Sequence, residues 1–180
     1  MTAVTAGALL AEPDVAAFRT AMGRFPTGVT LLTQGSGDDT IVMTLNSLTS
    51  VSLDPMLILV SVKADGRMRP RISRAGSFAV NVLTEAQRDL AQEFCRPDRS
   101  EGRAAMLRLS AEEGVTGNAV LPDAETYVEC VLDAEYAAGD HTLLIGRVVA
   151  LSGGPSAPDP LLFHQGRFGR LPSAAKEEGA

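Results

Sequence analysis

Residues 44 to 55 read Thr44-Leu45-Asn46-Ser47-Leu48-Thr49-Ser50-Val51-Ser52-Leu53-Asp54-Pro55, a segment dense in hydroxyl and amide side chains. It separates two short apolar runs, residues 28–33 and 56–62, which are bounded by Gly or Pro. Runs of this kind predict buried strands. The polar groups between them need hydrogen-bond partners, either in a local turn or in a bound polar ligand with a flat ring and a hydroxylated chain.

The composition is typical of one globular domain. Its 180 residues are 45% hydrophobic and 21% charged, and only 4% are aromatic, so the core must be aliphatic. A net charge of −6 without a long basic run argues against nucleic acid as a partner. No apolar run approaches the roughly 20 residues of a membrane span. Residues 1–10 lack the positive start of a secretory signal, so we expect a cytoplasmic protein with no membrane partner.

The residues that ligate metals most often are few and scattered. Cys95, Cys130, His141 and His164 follow no spacing typical of a zinc site, although a Cys2His2 set is formally open. We expect no metal and two buried free thiols.

The remaining pattern predicts mainly strands at hairpin spacing, with two clear helices. The first helix begins after Asp14 and carries an apolar stripe at helical spacing: Val15, Phe18, Ala21, Met22 and Phe25. The second begins at a capping box, Thr84 with Gln87, and ends near Pro97. Further strands are predicted over residues 29–33, 40–43, 77–83, 126–136 and 141–151, with a closing segment at 160–169. Residues 99–118 are expected to form a polar loop or partly helical excursion, and a domain of residues 14–172 is flanked by flexible tails, 1–13 and 173–180.

Four cations lie within nine residues after the second apolar run: Lys63, Arg67, Arg69 and Arg71. In an acidic chain this cluster is either a solvated loop or a phosphate clamp, because guanidinium forks and ammonium charges are what a phosphate requires. The chain has no G-x-G-x-x-G motif and no βαβ alternation, so a Rossmann domain is not expected.

Three motifs, in order along the chain, carry a family resemblance. Residues 44–55 resemble the T-x-N-S-x-x-S-V-S-x-x-P signature of the short-chain flavin reductases, the NAD(P)H:flavin oxidoreductases that serve two-component flavin monooxygenases. Gly139-Asp140-His141 with Gly146 resembles their G-D-H-x-x-x-x-G motif, and residues 160–169 resemble P-L-x-x-x-x-G-x-[YF]. The likeness runs from Phe18 to Leu171, nearly the whole chain.

The resemblance implies a fold, cofactors and partners. The fold is mainly β with flanking helices, the FMN-binding split β-barrel of flavin reductase type, whose closure removes exposed strand edges. A homodimer is implied, with FAD or FMN near the subunit interface, NADH as reductant and a flavin-dependent monooxygenase receiving the reduced flavin. NADH is preferred to NADPH because the one basic cluster, which the resemblance assigns to the phosphate of the flavin, leaves little for a 2′-phosphate.

The resemblance also assigns site residues. Those assigned to the flavin ring edge, ribityl chain and phosphate are Met43, Thr44, Asn46, Ser47, Ser61, Val62, Lys63, Arg67 and Met68. Phe94 is assigned near the flavin, with a core position as the alternative. Arg167 and Phe168 are assigned to the nicotinamide side, with a final barrel strand as the alternative. Relatives carry Asn or Ser types in the basic cluster and often Tyr at His164, so the individual phosphate ligands stay open and His164 receives no role.

His141, with Asp140 beside it, is assigned next to the nicotinamide. Hydride transfer from nicotinamide C4 to flavin N5 needs no protein nucleophile, so the predicted role of His141 is positioning, with polarisation of the nicotinamide amide as the second possibility. The chain has no convincing Ser/His/Asp or paired-carboxylate arrangement, which agrees with that chemistry. A non-catalytic flavin- or haem-binding split-barrel module and a pyridoxamine-phosphate-oxidase-like enzyme are the alternatives.

Overall fold

The computed structural model describes residues 14–153 and 159–171. These residues form four α-helices: α1 (Val15–Gly23), α2 (Met68–Ala75), α3 (Arg88–Phe94) and α4 (Gly102–Leu109). They also form twelve strands: β1 (Thr27–Gly28), β2 (Thr30–Gln34), β3 (Ile41–Leu45), β4 (Thr49–Leu53), β5 (Met56–Lys63), β6 (Ser77–Val82), β7 (Glu112–Glu113), β8 (Ala119–Val120), β9 (Thr126–Ala138), β10 (His141–Leu151), β11 (Leu162–His164) and β12 (Arg167–Gly169).

Seven strands form the main sheet, in the order β3-β2-β6-β9-β10-β5-β4, with every neighbouring pair antiparallel. The two edge strands, β3 and β4, are joined by residues 46–48 alone. Four peptide steps reach at most about 14 Å, whereas the edges of a flat seven-stranded sheet would lie roughly 29 Å apart. The sheet must therefore curl until its edges approach each other. In agreement, Leu45 of β3 and Ile58 of β5 belong to one buried cluster.

The predicted fold class, mainly β with flanking helices, is confirmed, and apolar side chains cover both faces of the curled sheet. Neighbouring residues of a strand point to opposite sides, so in β2 Leu32 joins the interior cluster while Leu31 joins the outer one. The α2 helix adds Met68 and Ile72 to the interior cluster. On the outer face, α3 and α4 contribute Leu90, Ala91, Phe94, Ala105 and Leu109.

Most of the predicted strands and both predicted helices are confirmed. The hairpins β2–β3 and β9–β10 pair as expected, and β5 and β6 lie within the predicted runs. Helix α1 is capped by Asp14, whose side chain accepts the Ala17 N–H at 2.6 Å. The capping box before α3 is present, with the Thr84 N–H donating to Gln87 Oε1 at 3.0 Å.

Several elements differ from the sequence prediction or add to it. Helix α2 begins inside the basic cluster, so the loop interpretation is wrong from Met68 onward; Pro70 lies in the first turn, where a missing N–H does no harm. Helix α4 lies within residues 99–118, so the partly helical alternative for this stretch is confirmed. Strand β4 occupies half of the polar segment, because exposed edge strands need no apolar face.

The C-terminal segment forms a hairpin, β11–β12, which pairs with β1 in a separate three-stranded sheet. The alternative of a final strand that caps the core is therefore right about the capping but wrong about the sheet, since this hairpin is not part of the main one. The rings of Phe163 and Phe168 face each other across this hairpin in a T-shaped contact, with centroids 5.5 Å apart. The hairpin covers part of the outer core, because both rings pack against its buried residues.

Only one of the two thiols agrees with its prediction. Cys130 is buried, whereas Cys95 is exposed at the end of α3, so the expectation of two buried thiols is wrong for Cys95. The predicted tails, 1–13 and 173–180, and most of the loop at 153–160 lie outside the described residues. Among the described helices, none has the length and apolar character needed to cross a membrane.

Candidate functional site

The loop between the two edge strands is fixed to β5 by Ser47. The Ser47 hydroxyl accepts the Ser61 N–H at 3.0 Å and donates to the Ser61 carbonyl at 3.1 Å. One side chain thus occupies both hydrogen-bonding groups of a strand residue, as a neighbouring strand would. Asn46, the preceding residue, is exposed, and its amide donates to Thr27 Oγ1 at 3.2 Å. The sequence left a turn and a ligand as alternatives for these groups, and the protein itself satisfies part of them.

The end of β5 meets the start of β10. Lys63 pairs with His141 and Ser61 with Leu143 in the antiparallel register. Because Ser47 is bonded to Ser61, and Lys63 lies about 7 Å further along the same strand, Ser47, Lys63 and His141 lie at one end of the barrel. The structure therefore brings together three groups of predicted site residues that are far apart in the sequence.

The His141 ring is oriented by the residue before it. Its Nδ1 lies 2.8 Å from Asp140 Oδ1, and this hydrogen bond holds the pKa of the Asp140 carboxyl below its usual value. The Asp140 carbonyl accepts the Ala64 N–H at 3.0 Å, which ties the turn to the loop after β5. Gly139 supplies the positive φ of 63° that this turn requires. With Nδ1 engaged, Nε2 is the ring nitrogen left for a ligand.

On the opposite edge strand, the Thr44 side chain is already used. Its hydroxyl donates to the Ala91 carbonyl of α3 at 2.8 Å. Two carbonyls at this edge, of Thr40 just before β3 and of Val42 within it, accept hydrogen bonds from groups outside the sheet. The donors are the Gly102 N–H and the Arg99 side chain. Backbone groups alternate in direction along a strand, so the N–H and C=O of Thr44 also point to this outer edge. The backbone of Thr44 is thus the part of the predicted Met43–Thr44 contact that a ligand can reach, while the half-buried Met43 side chain packs on the interior cluster.

The basic cluster divides into cations with different partners. Arg69 forms an ion pair with Glu135. Arg71 donates to Gln34 Oε1 at 2.9 Å and to the Asp39 carbonyl. Both guanidiniums therefore have partners within the protein. Lys63 is exposed. Arg67 is exposed too, but its guanidinium contacts Glu101 at 2.6 Å. Lys63 lies opposite His141, and Arg67, 60% exposed against 44% for Arg69, is the more accessible of the two ion-paired guanidiniums.

Arg99 lies near Arg67 and β3, although the sequence did not mark it as a site residue. Its Nε donates to the Val42 carbonyl at 2.7 Å and its Nη1 to the Arg96 carbonyl at 2.8 Å. Burial lowers the pKa of the Arg99 guanidinium, and the positive charge of nearby Arg67 lowers it further. The sequence carries no signal for this proximity, since Arg99 belongs to a polar stretch remote from the motifs.

Met68, Val62 and Phe94 have core positions. Met68 and Val62 belong to the interior cluster, with 4% and 2% of their surfaces exposed, so a ligand can meet only their backbone. Phe94 is fully buried in the outer cluster, which is the alternative that the sequence left open for it. The assignments of these three residues to flavin stay predictions.

A groove of about 930 Å³ opens beside Asn46 and Ser47. Its walls include Phe18 and Met22 of α1 and Phe163 of β11. Arg167 and Phe168 line a separate recess of about 390 Å³ at the β11–β12 hairpin. His141 is not among the described residues that line this recess, so the assignment of Arg167 and Phe168 to the nicotinamide side stays a prediction. Within the described residues, no group of three or more His, Cys, Asp or Glu side chains could hold a metal ion.

Comparison with known proteins gives the class to which this fold and site belong. Residues 22–172 match the family described as flavin reductase like domain. The NADH-dependent FMN reductase AsuE2 of Streptomyces nodosus subsp. asukaensis is 46% identical over 160 residues, 89% of this chain and 86% of the relative. The chain therefore belongs to the flavin reductase like family, and the family predicted from the three motifs is confirmed.

Solved structures agree with this membership. The NADH:FAD oxidoreductase SgcE6 of Streptomyces globisporus C-1027 is 33% identical with a TM-score of 0.81, over 93% of this chain and 99% of that one. The styrene monooxygenase flavin reductase SMOB of Pseudomonas putida S12 is also 33% identical, with a TM-score of 0.75, over 88% of this chain and 99% of that one.

Proposed function

We propose that the protein is an NADH-dependent flavin reductase that supplies reduced flavin to a separate flavin-dependent monooxygenase. The observation that carries the proposal is the convergence of Ser47, Lys63 and His141 at one end of the barrel. These residues come from two motifs of the family and from the strand between them. The named relatives support both substrates, since they include NADH-dependent reductases of FMN and of FAD and the reductase of a monooxygenase.

In this proposal the chain binds and orients, and the cofactors supply the hydride chemistry between nicotinamide C4 and flavin N5. The Thr44 backbone and the Asn46 side chain offer hydrogen bonds to the polar edge of a flavin and its ribityl chain. Lys63 and Arg67 offer positive charge to its phosphate. His141 offers Nε2 to the nicotinamide, held in orientation by the Asp140 carboxylate.

The test is steady-state oxidation of NADH and NADPH with FAD, FMN and riboflavin in turn, without any aromatic substrate. We expect NADH oxidation that depends on added flavin and exceeds NADPH oxidation. A protein that retains flavin and oxidises neither nucleotide would contradict the proposal and favour the non-catalytic flavin-binding module. The FAD and FMN arms also decide which flavin is preferred.

The proposal includes a homodimer in the cytoplasm, where NADH is regenerated. Support for the dimer comes from α1 and the turn after it, where Val15, Phe18, Met22 and Phe25 are each at least half exposed. Three of them, Phe18, Met22 and Phe25, line the groove beside Asn46. A second copy that covers this apolar face would also close the groove, so flavin binding and dimerisation would be linked.

A further inference from the structure

The Glu101 side chain forms an ion pair with Arg67 and does not cap its own helix, α4. It occupies the N-cap position of α4, where a side chain ordinarily accepts an N–H of the first turn, yet it makes no such bond. Its carboxylate instead contacts the Arg67 guanidinium, with Oε1 and Nη1 2.6 Å apart. Arg67 directly precedes α2, so the pair joins the starts of two helices across the proposed phosphate end of the site.

The surroundings of this pair are cationic. Arg99 is near enough to Arg67 for the two charges to lower the pKa of Arg99. Lys63 lies at the end of β5, four residues before Arg67. Arg99 is held by two backbone carbonyls, whereas Arg67 is 60% exposed and its recorded partner among the described residues is Glu101. Glu101 thus sits where an anionic ligand of Arg67 and Arg99 would sit.

We propose that Glu101 competes with the flavin phosphate for Arg67, and so weakens the hold of the protein on phosphorylated flavins in particular. The inference rests on the proposed function, because it takes the phosphate to lie at Lys63 and Arg67. A bound phosphate displaces the carboxylate, and departure of the flavin restores the ion pair. Riboflavin, which has no phosphate, does not compete with Glu101.

Charge and exposure set the direction and the size of this effect. A phosphate monoester carries about −1.5 to −2 charges at pH 7, so it outcompetes a single carboxylate for a guanidinium fork. The pair is 60% and 40% exposed, so breaking it costs little, and we expect its loss to change affinity by about two- to fivefold. A reductase that passes its product to a second enzyme benefits from this weaker hold, because reduced flavin must leave.

The experiment compares wild-type protein with Glu101→Gln, which keeps the side-chain length and removes the charge. Dissociation constants for FMN and riboflavin are measured by quenching of flavin fluorescence. We expect Glu101→Gln to lower the FMN dissociation constant about two- to fivefold and to leave riboflavin unchanged. The matched control is Glu112→Gln, an equal change of charge at an exposed position on β7. It should leave both constants unchanged.

A double-mutant comparison assigns the effect to the ion pair. Arg67→Gln should weaken FMN binding but not riboflavin binding, and in its background Glu101→Gln should have no further effect on FMN. Circular dichroism checks that each variant is folded. Equal shifts for FMN and riboflavin, or an unchanged FMN constant in Glu101→Gln, would overturn this inference alone. Wild-type protein that neither bound flavin nor oxidised NADH would overturn it together with the proposed function.

Discussion

Two contacts fix the position of His141. The Asp140 carboxylate lies within hydrogen-bond distance of its Nδ1, and its backbone at the start of β10 pairs with Lys63. Replacing His141 with Ala removes a positioning contact and no reacting group. We expect the KM for NADH to rise about tenfold, near the upper value of one ordinary hydrogen bond, while the dissociation constant for flavin changes little. Steady-state kinetics and fluorescence titration measure the two quantities.

The control for that variant is His164→Ala, because His164 is exposed on β11 and has no assigned role. It should leave both constants unchanged. An unchanged KM for NADH in His141→Ala would remove the assignment of His141, and an equal rise in His164→Ala would point to a general effect of lost imidazole.

The two cysteines differ in environment and should differ in reactivity. Cys130 is fully buried, and burial, with a smaller effect of the neighbouring Glu129 charge, raises the pKa of its thiol to about 12. At about pH 8 it is a neutral thiol that a reagent cannot reach, whereas Cys95 is exposed. We expect a chromogenic disulfide to titrate one thiol per native chain and two per chain in denaturant. Cys95→Ser should abolish the native reaction, and two fast native thiols would contradict the expectation.

At the scale of the strand, Gly146 is fixed by packing and not by backbone conformation. A Cβ at this position of β10 would lie 2.5 Å from Phe78 Cζ and 2.8 Å from Cys130 Cβ, both of which are fully buried. Gly146→Ala should lower the free energy of unfolding by about 1–3 kcal/mol, as overpacking of a dense core does. Urea denaturation measures the change.

Gly169→Ala is the matched control, because Gly169 ends β12 and a Cβ there meets no atom within 4 Å. It should change stability little. If Gly146→Ala were as stable as the control, the last glycine of the G-D-H-x-x-x-x-G motif would need another explanation. With the expected result, packing of the fold accounts for that glycine.

The elements that could be predicted from the sequence are those whose signal is local. The strands of β2–β3 and β9–β10 have apolar residues at the spacing that burial requires, and the box at Thr84 and Gln87 marks a helix start. Helix α2 has four cations and a proline within or beside it, and only its contact with the barrel interior, through Met68 and Ile72, favours a helix. That contact is tertiary and leaves little trace in the local pattern.

The residues of the candidate site likewise include some with a local sequence signal and some without one. Residues 44–55 and Gly139-Asp140-His141 could be recognised because each motif is contiguous, and the strand register then brings them together. Arg99 and Glu101 could not, since their relation to Arg67 depends on where α4 and the loop before it pack. The exposure of the apolar stripe on α1 could not be predicted either. Helical spacing of apolar residues indicates that a helix has an apolar face, but not whether another element covers that face.

For the whole molecule, the apolar face of α1 is the feature that a single copy leaves unexplained. Phe18 is 60% exposed, Met22 52% and Phe25 67%, on one side of the first helix and the turn after it. Removing such side chains from water stabilises an assembly by about 1.5–3 kcal/mol each. Light scattering after size exclusion should therefore give the mass of two chains for the wild-type protein.

Phe18→Ser combined with Met22→Ser should raise the dissociation constant of that dimer at least about a hundredfold, because two buried anchors are lost. FMN binding should weaken with it, since the same side chains wall the groove beside Asn46. Leu107→Ser is the matched control, as Leu107 is 81% exposed on α4, and it should alter neither mass nor affinity. A wild-type protein that runs as a monomer at micromolar concentration and still binds FMN tightly would contradict the dimer, and a double variant that stays dimeric would place the interface on another face.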